Sequence, residues 1–260
     1  MMLPPLVMLD AHTSYEGRAV LKVCVAKDIP VIRVDISNIK AHVEKLQSGN
    51  VLPVGSVQYI RACMSVAGIV EPDNLTYHPC VRAYLGRRVY PWTAGDLKAV
   101  QIPRPIFVKP ARTKLFTGFI LVPGQNIGDY SEDTQEDFAA YLACSEDEDL
   151  WTSANRPFRS EWRYYVSEAR ILGCCRYDQR EAEDAPRPNA LVVSRAIRAA
   201  SNAISHPFAI DIGVYEGSGK TAVVELNDFW ALGLYGSSSD APTPEAYTQL
   251  LWTRWESFFK

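Results

Sequence analysis

Apolar and polar positions repeat with two different periods along this chain, and the change of period divides it. Leu6-Val7-Met8-Leu9 is a continuous apolar run and reads as a buried strand. Residues 16–27 place Ala19, Val20, Val23 and Cys24 at helical spacing, and Val31-Ile32-Arg33-Val34 reads as a second strand. Strand, helix and strand within about thirty residues make a βαβ unit. A further helical run covers 57–67, with Tyr59, Ile60, Cys63 and Met64 on one side, Ser56 as N-cap and Gly68 as the stop. Pro72, Pro79, Pro91, Pro103 and Pro105 then break residues 72–105 into irregular connections and short turns. That stretch sets the expected boundary, with an α/β domain over 1–104 and a second domain over 105–260.

Past the boundary the period falls to two. Ile106-Phe107-Val108-Lys109-Pro110 reads as a strand ending at a lysine, and Gly118-Phe119-Ile120-Leu121-Val122 as another. The loop between them carries Arg112 and Lys114. Residues 161–166 and 170–175 alternate and predict a hairpin. Residues 208–214 and 223–228, joined across Glu216-Gly217-Ser218-Gly219, predict a second. Residues 190–204 repeat at helical spacing, and 244–259 read as an amphipathic helix with Trp252, Trp255 and Phe259 inward. Residues 123–160 are polar and irregular, with the acidic run 146–149 solvated, and 179–188 read as an exposed loop. The fold class is α+β.

Composition narrows the function more than the fold. A net charge of -3 over 260 residues argues against a dedicated nucleic-acid binder. No apolar run approaches the roughly 20 residues that span a bilayer. Met1-Met2-Leu3-Pro4-Pro5 lacks the basic start of a signal peptide, so a cytoplasmic location is expected. The six cysteines form no C-x-x-C pair and the four histidines show no ligand spacing, which disfavours a zinc site or a disulfide framework.

The chemistry concentrates on the second hairpin. Side chains alternate along a strand, so Glu225 and Asn227 share a face that Asp211 on the partner strand can join. Three oxygen-bearing groups on one face suit a hard cation such as Mg²⁺ that also holds phosphates. Lys109, Lys114 and Arg163 supply cations that could neutralise a triphosphate. Gly219-Lys220-Thr221 imitates the tail of a Walker A loop, but Val214 stands where that motif needs glycine, and Thr221 opens a strand instead of a helix. The K-x-D-G pattern of nucleotidyl-lysine ligases, the G-x-S-x-G elbow and the G-x-G-x-x-G fingerprint are all absent from the sequence.

Taken together, Phe107-Val108-Lys109-Pro110, Lys114-Leu115-Phe116-Thr117-Gly118, Glu161-Trp162-Arg163, Ala209-Ile210-Asp211-Ile212-Gly213 and Val224-Glu225-Leu226-Asn227-Asp228 resemble an ATP-grasp enzyme. They resemble in particular a small phage and bacterial clade marked by one arginine and two lysines. Leu52 to Arg61 and Tyr84-Leu85-Gly86-Arg87 are similar to the N-terminal part of that clade. The resemblance implies two α+β lobes gripping ATP, preceded by a small α/β domain. It implies that Lys109 and Lys114 contact phosphates, that Arg163 lies near the γ-phosphate, and that Asp211, Glu225 and Asn227 hold Mg²⁺. It places the adenine edge on a hinge near Cys144-Ser145-Glu146. The implied reaction is an ATP-dependent carboxylate–amine ligation through an acylphosphate, releasing ADP and phosphate. A small molecule, a peptide or a protein could supply the acid and the amine. The N-terminal part would hold them, with Asp10, Ser14, Ser56 and Arg61 as candidates. Homodimers are common among such enzymes. A kinase-like phosphotransferase and a non-catalytic nucleotide-binding protein are the alternatives.

Overall fold

The structure, a computed structural model, describes residues 2–12, 14–112, 115–178, 185–236 and 240–260. Its first unit is the expected βαβ arrangement with one strand more. It runs β1 (Val7–Asp10), α1 (Tyr15–Ala26), β2 (Val31–Val34), α2 (Val43–Gln47), β3 (Leu52–Val54) and α3 (Val57–Ala67). The strands form a parallel sheet in the order β2-β1-β3. β3 is three residues long with Pro53 at its centre, a composition that hides a strand from periodicity and restricts it to an edge. Both long helices start on side-chain caps, Ser14 Oγ accepting from Gly17 N at 3.1 Å and Ser56 Oγ from Tyr59 N at 3.2 Å. The expected stop at Gly68 is a left-handed residue with φ +78°.

The second sheet is built from β4 (Val89–Thr93), α4 (Ala94–Ala99), β5 (Ile106–Pro110), β6 (Phe119–Leu121), α5 (Glu132–Ala143) and β7 (Asp149–Ala154). Its strands are antiparallel in the order β4-β7-β5-β6. β4 lies inside the proline-broken stretch; as an edge strand it tolerates Pro91. β4 and β5 share this sheet, so the boundary expected at residue 104 falls between two strands of one unit. Residues 123–160, read as irregular, contain α5 and β7. α5 buries only Phe138 and Tyr141, too narrow a face for a helical signal. Those two residues pack with Leu97, Val108, Phe116, Phe119 and Leu150 on the back of the sheet. Because Val108 points to this core, Phe107 and Lys109 on either side of it point the other way.

The third sheet holds the two predicted hairpins. It comprises β8 (Phe158–Ser167), β9 (Arg170–Arg176), β10 (Phe208–Tyr215) and β11 (Thr221–Asp228), ordered β11-β10-β8-β9, with α6 (Ala190–Ser201) covering one face. The β8–β9 turn sets Glu168 and Ala169 at φ 50° and 58°. Left-handed conformations cost non-glycine residues roughly 1–2 kcal/mol each. Replacing Glu168-Ala169 with Asn-Gly, the pair suited to such turns, is expected to stabilise the protein by about 1 kcal/mol. Urea unfolding midpoints check this.

α7 (Pro244–Glu256) returns to the first unit, where Tyr247, Leu250, Leu251, Trp252 and Trp255 join the core under β1 and β3. Phe259, expected inward, lies in the terminal 3₁₀ turn and is 37% exposed. Arg254 of α7 holds Asp228 through two bonds of 2.6 and 2.7 Å, fastening the end of β11 to the helix. His206, 3.9 Å from Asp228, is held below the ordinary histidine range by burial and by Arg254, against the pull of Asp228. Between its folded value and the unfolded 6.5 the unfolded chain binds the extra proton, so stability falls as pH drops through that window. His206→Gln is expected to flatten that part of the stability–pH curve, measurable by thermal melts from pH 7 downward. Among the described residues, no helix is long and apolar enough to cross a membrane.

Candidate active site

The second and third sheets face each other across a cleft, and the connection Ala154–Phe158 between β7 and β8 forms its back. Strand register sets the site on the third sheet. Asp211 is paired with Arg163 on one side and Glu225 on the other, which puts three charged residues in a row across β8, β10 and β11. Arg163 Nε and Nη2 donate to the two Asp211 oxygens at 2.8 and 2.7 Å, a bidentate pair with side chains 7% and 0% exposed. Asn227 Nδ2 donates to Asp211 Oδ2 at 2.9 Å and to Glu225 Oε1 at 3.2 Å. The three oxygen-bearing groups expected to converge on one face do so.

Lys109 completes the cluster from the opposite sheet. Its Nζ donates to Glu225 Oε2, bridging the two walls of the cleft. Burial works against charge on both partners. The attraction between them prevails, with help from Arg163, so Glu225 is held below the ordinary glutamate range and Lys109 above the ordinary lysine range. The guanidinium of Arg163 is flanked by the rings of Tyr177 and Tyr235, at 5.2 and 4.9 Å. Among the described residues its Nη1 has no hydrogen-bond partner, and Arg163 lines the cleft.

Two adjoining cavities of 480 and 580 Å³ meet at Lys109, Thr117, Gly118, Tyr177 and Glu225. Both lie within the roughly 300–1,000 Å³ usual for small-molecule sites. The 480 Å³ cavity holds the charged groups together with Asp73, Asp137 and Trp230. The 580 Å³ cavity is more apolar, lined by Phe107, Ile120, Phe158 and the Ala154–Pro157 backbone. A smaller cavity of 140 Å³ lies beyond Trp230, Leu232 and Gly233, against the starts of α1 and α3 at Ser14, Glu16, Gly55 and Ser56.

Several expected residues are placed elsewhere. Ser145 and Glu146 do not reach the cleft: Glu146 O accepts from Gly95 N, and Glu146 lines a separate groove with Thr93, Asp96 and Lys98. The turn Ser145–Glu148 only leads into β7, whereas the link between the sheets comes after that strand. Lys114 lies outside the described residues. Asp10 is buried and accepts from His12 N and Ser56 N, and Arg61 forms a two-bond pair with Glu71. Both are committed to local structure.

Other residues of the cleft escaped the sequence reading. Glu161 faces it beside Arg163, as alternation along β8 requires. Burial pushes its carboxyl up against the opposing hydrogen bond from Tyr177 Oη at 2.7 Å. Arg87 donates to the Val223 and Val224 carbonyls at 3.3 and 3.0 Å and stacks on Tyr77 and Phe158, forming one wall of the 580 Å³ cavity. Gly86 before it has φ +62°, and a Cβ there would meet the Tyr215 ring at 2.9 Å, so glycine is required.

Two antiparallel sheets closing on a charged cleft, behind a small parallel α/β unit, make an α+β protein of the ATP-grasp fold. More narrowly, residues 84–243 match the ATP-grasp domain of family 2 in the clade named for one arginine and two lysines, and the chain belongs to that family. None of the curated protein sequences matches it. Among solved structures it is similar to D-alanine–D-alanine ligase from Bacillus anthracis complexed with ATP, at 12% identity and TM-score 0.54, covering 99% of this chain and 98% of that one. It is also similar to N5-carboxyaminoimidazole synthetase from Staphylococcus aureus, at 10% identity and TM-score 0.59, covering 98% and 78%. Macrocyclase MdnC bound with precursor peptide MdnA, from Microcystis aeruginosa, gives 12% identity and TM-score 0.51 over 95% and 99%. At these identities the likeness concerns the fold.

Proposed function

We propose that this chain is an ATP-dependent carboxylate–amine ligase that works through an acylphosphate. The observation that carries the reading is the meeting of Lys109 and Arg163 with Asp211, Glu225 and Asn227 where the two sheets touch. The more apolar cavity suits a nucleoside, its base edge against the Ala154–Pro157 backbone and its faces against Phe107, Ile120 and Phe158. The phosphates then extend toward Lys109 and the exposed side of Arg163, with Lys114 as a further cation. Two carboxylates and an amide within hydrogen-bond reach of one another form a hard oxygen donor set, so the residues fit Mg²⁺. Bound there, the ion would offset charge on the phosphates.

A substrate carboxylate attacks the γ-phosphorus, forming the acylphosphate and releasing ADP; an amine then attacks the acyl carbon and phosphate leaves. The protein's own part is to hold the reactants in line and to place Arg163 and Lys109 against the developing charge. Such chemistry needs no protein nucleophile. The 140 Å³ cavity, which shares Trp230, Leu232 and Gly233 with the charged one, suits one end of an acceptor, with Ser14, Glu16 and Ser56 facing it.

The test is ATP binding with and without Mg²⁺, followed by ADP release against pooled amino acids and peptides. Binding with acceptor-dependent ADP release is expected, and no ATP binding would sink the proposal. Hydroxylamine should trap the acylphosphate as a hydroxamate; phosphorylated product without hydroxamate would favour the kinase reading. Glu225→Gln and Asn227→Ala are expected to lower Mg²⁺-dependent turnover by at least about a hundredfold. Wild-type turnover in either variant would remove that residue from the metal site.

A further inference from the structure

We propose that the nucleotide-free protein keeps its divalent-cation site locked by its own cations, so that the metal enters only together with the nucleotide. This rests on reading the cleft as a nucleotide site and adds how that site is regulated. Every carboxylate oxygen of the donor set is already engaged. Glu225 Oε2 accepts from Lys109 and Oε1 from Asn227, while both Asp211 oxygens accept from Arg163. Two cations against two carboxylates leave the cluster with no net charge. A divalent ion arriving alone meets no excess negative charge. It must also push the Lys109 ammonium off Glu225 with nothing to receive it, and the two like charges would then lie together in a largely desolvated cleft.

A polyphosphate changes that balance. It brings anionic oxygens that can take Lys109 from Glu225 and meet the exposed side of Arg163. Glu225 is then released toward the metal in the same event. Lys109 and Glu225 are 20% and 16% exposed, so the exchange is accessible from the cleft, whereas Arg163 and Asp211 are nearly enclosed and stay paired. Lys109 is therefore the movable part of the lock and Arg163 the fixed part. Because the two ligands share one exchange, each raises the affinity of the other by the same factor.

Mn²⁺ titration of the full chain reads this directly, with water-proton relaxation distinguishing protein-bound from unbound ion. Wild-type protein is expected to bind Mn²⁺ roughly tenfold or more weakly alone than with a non-hydrolysable ATP analogue. Lys109→Met without nucleotide should gain Mn²⁺ affinity, and Lys109→Met with Glu225→Gln should lose that gain, which places the added ion on Glu225. Equal wild-type affinity with and without the analogue would overturn the lock, as would a folded Lys109→Met variant with no gain. Calorimetry of the analogue alone separates the two ideas: no analogue binding sinks the nucleotide-site reading. Analogue binding with nucleotide-independent Mn²⁺ affinity sinks only the lock. Should Lys109→Met fail to fold, the wild-type comparison still decides.

Discussion

Arg163→Leu is expected to destabilise the protein by about 3–5 kcal/mol and to lower ATP turnover by at least about a hundredfold. The first effect follows from burial. Asp211 is 0% exposed and both its oxygens accept from Arg163, so removing the guanidinium strands a carboxylate whose remaining donor is Asn227. The rings of Tyr177 and Tyr235 lose the cation between them as well. The double variant Arg163→Leu with Asp211→Leu separates structure from chemistry. Replacing a buried ion pair by apolar residues is often close to neutral. The double variant should therefore recover most of the lost stability and none of the turnover. Urea unfolding and ADP release report the two readouts independently. A single variant that unfolds at the wild-type midpoint would refute the buried pair, and turnover in the double variant would remove both residues from the site.

Legibility from sequence follows how each residue meets its surroundings. The β10–β11 hairpin is readable because β-rich runs flank a glycine-rich turn, and strand alternation alone puts Asp211, Glu225 and Asn227 on one face. The same rule places Glu161 beside Arg163, so the signal for that residue is present in the sequence. α5 and β4 are hidden for opposite reasons. α5 buries too little to show a period, and β4 carries a proline that only an edge strand tolerates. With β7 hidden as well, Ser145 and Glu146 look like the link between the sheets; once Asp149–Ala154 is a strand, the link falls after it. Pairings between sheets, such as Lys109 with Glu225, lie 116 positions apart, and no local pattern encodes them.

Lys109→Met is expected to act in the opposite proportion to Arg163→Leu, with a modest loss of stability and a large loss of nucleotide affinity. The partner left behind, Glu225, is 16% exposed and keeps its bond from Asn227, so water and the amide can satisfy much of the carboxylate. A cost of about 1–3 kcal/mol to the fold follows. Affinity should suffer more visibly, because a charged donor to phosphate is worth roughly 1.5–3 kcal/mol, or about ten- to a hundredfold in Kd. Lys109→Arg keeps the charge but alters reach and shape, so it should recover part of the affinity if charge dominates and little if position does. Calorimetry with a non-hydrolysable ATP analogue and urea unfolding of the same samples give the two numbers. Wild-type affinity in Lys109→Met would take the lysine out of the nucleotide site. It would leave the bridge between the sheets as a purely structural contact. Because Lys109 reaches Glu225 from the opposite sheet, its removal also tests whether the cleft stays closed without a ligand. A variant whose small-angle scattering shows a larger radius, reversed by the analogue, would mean that the ion pair holds the two walls together until phosphate takes its place.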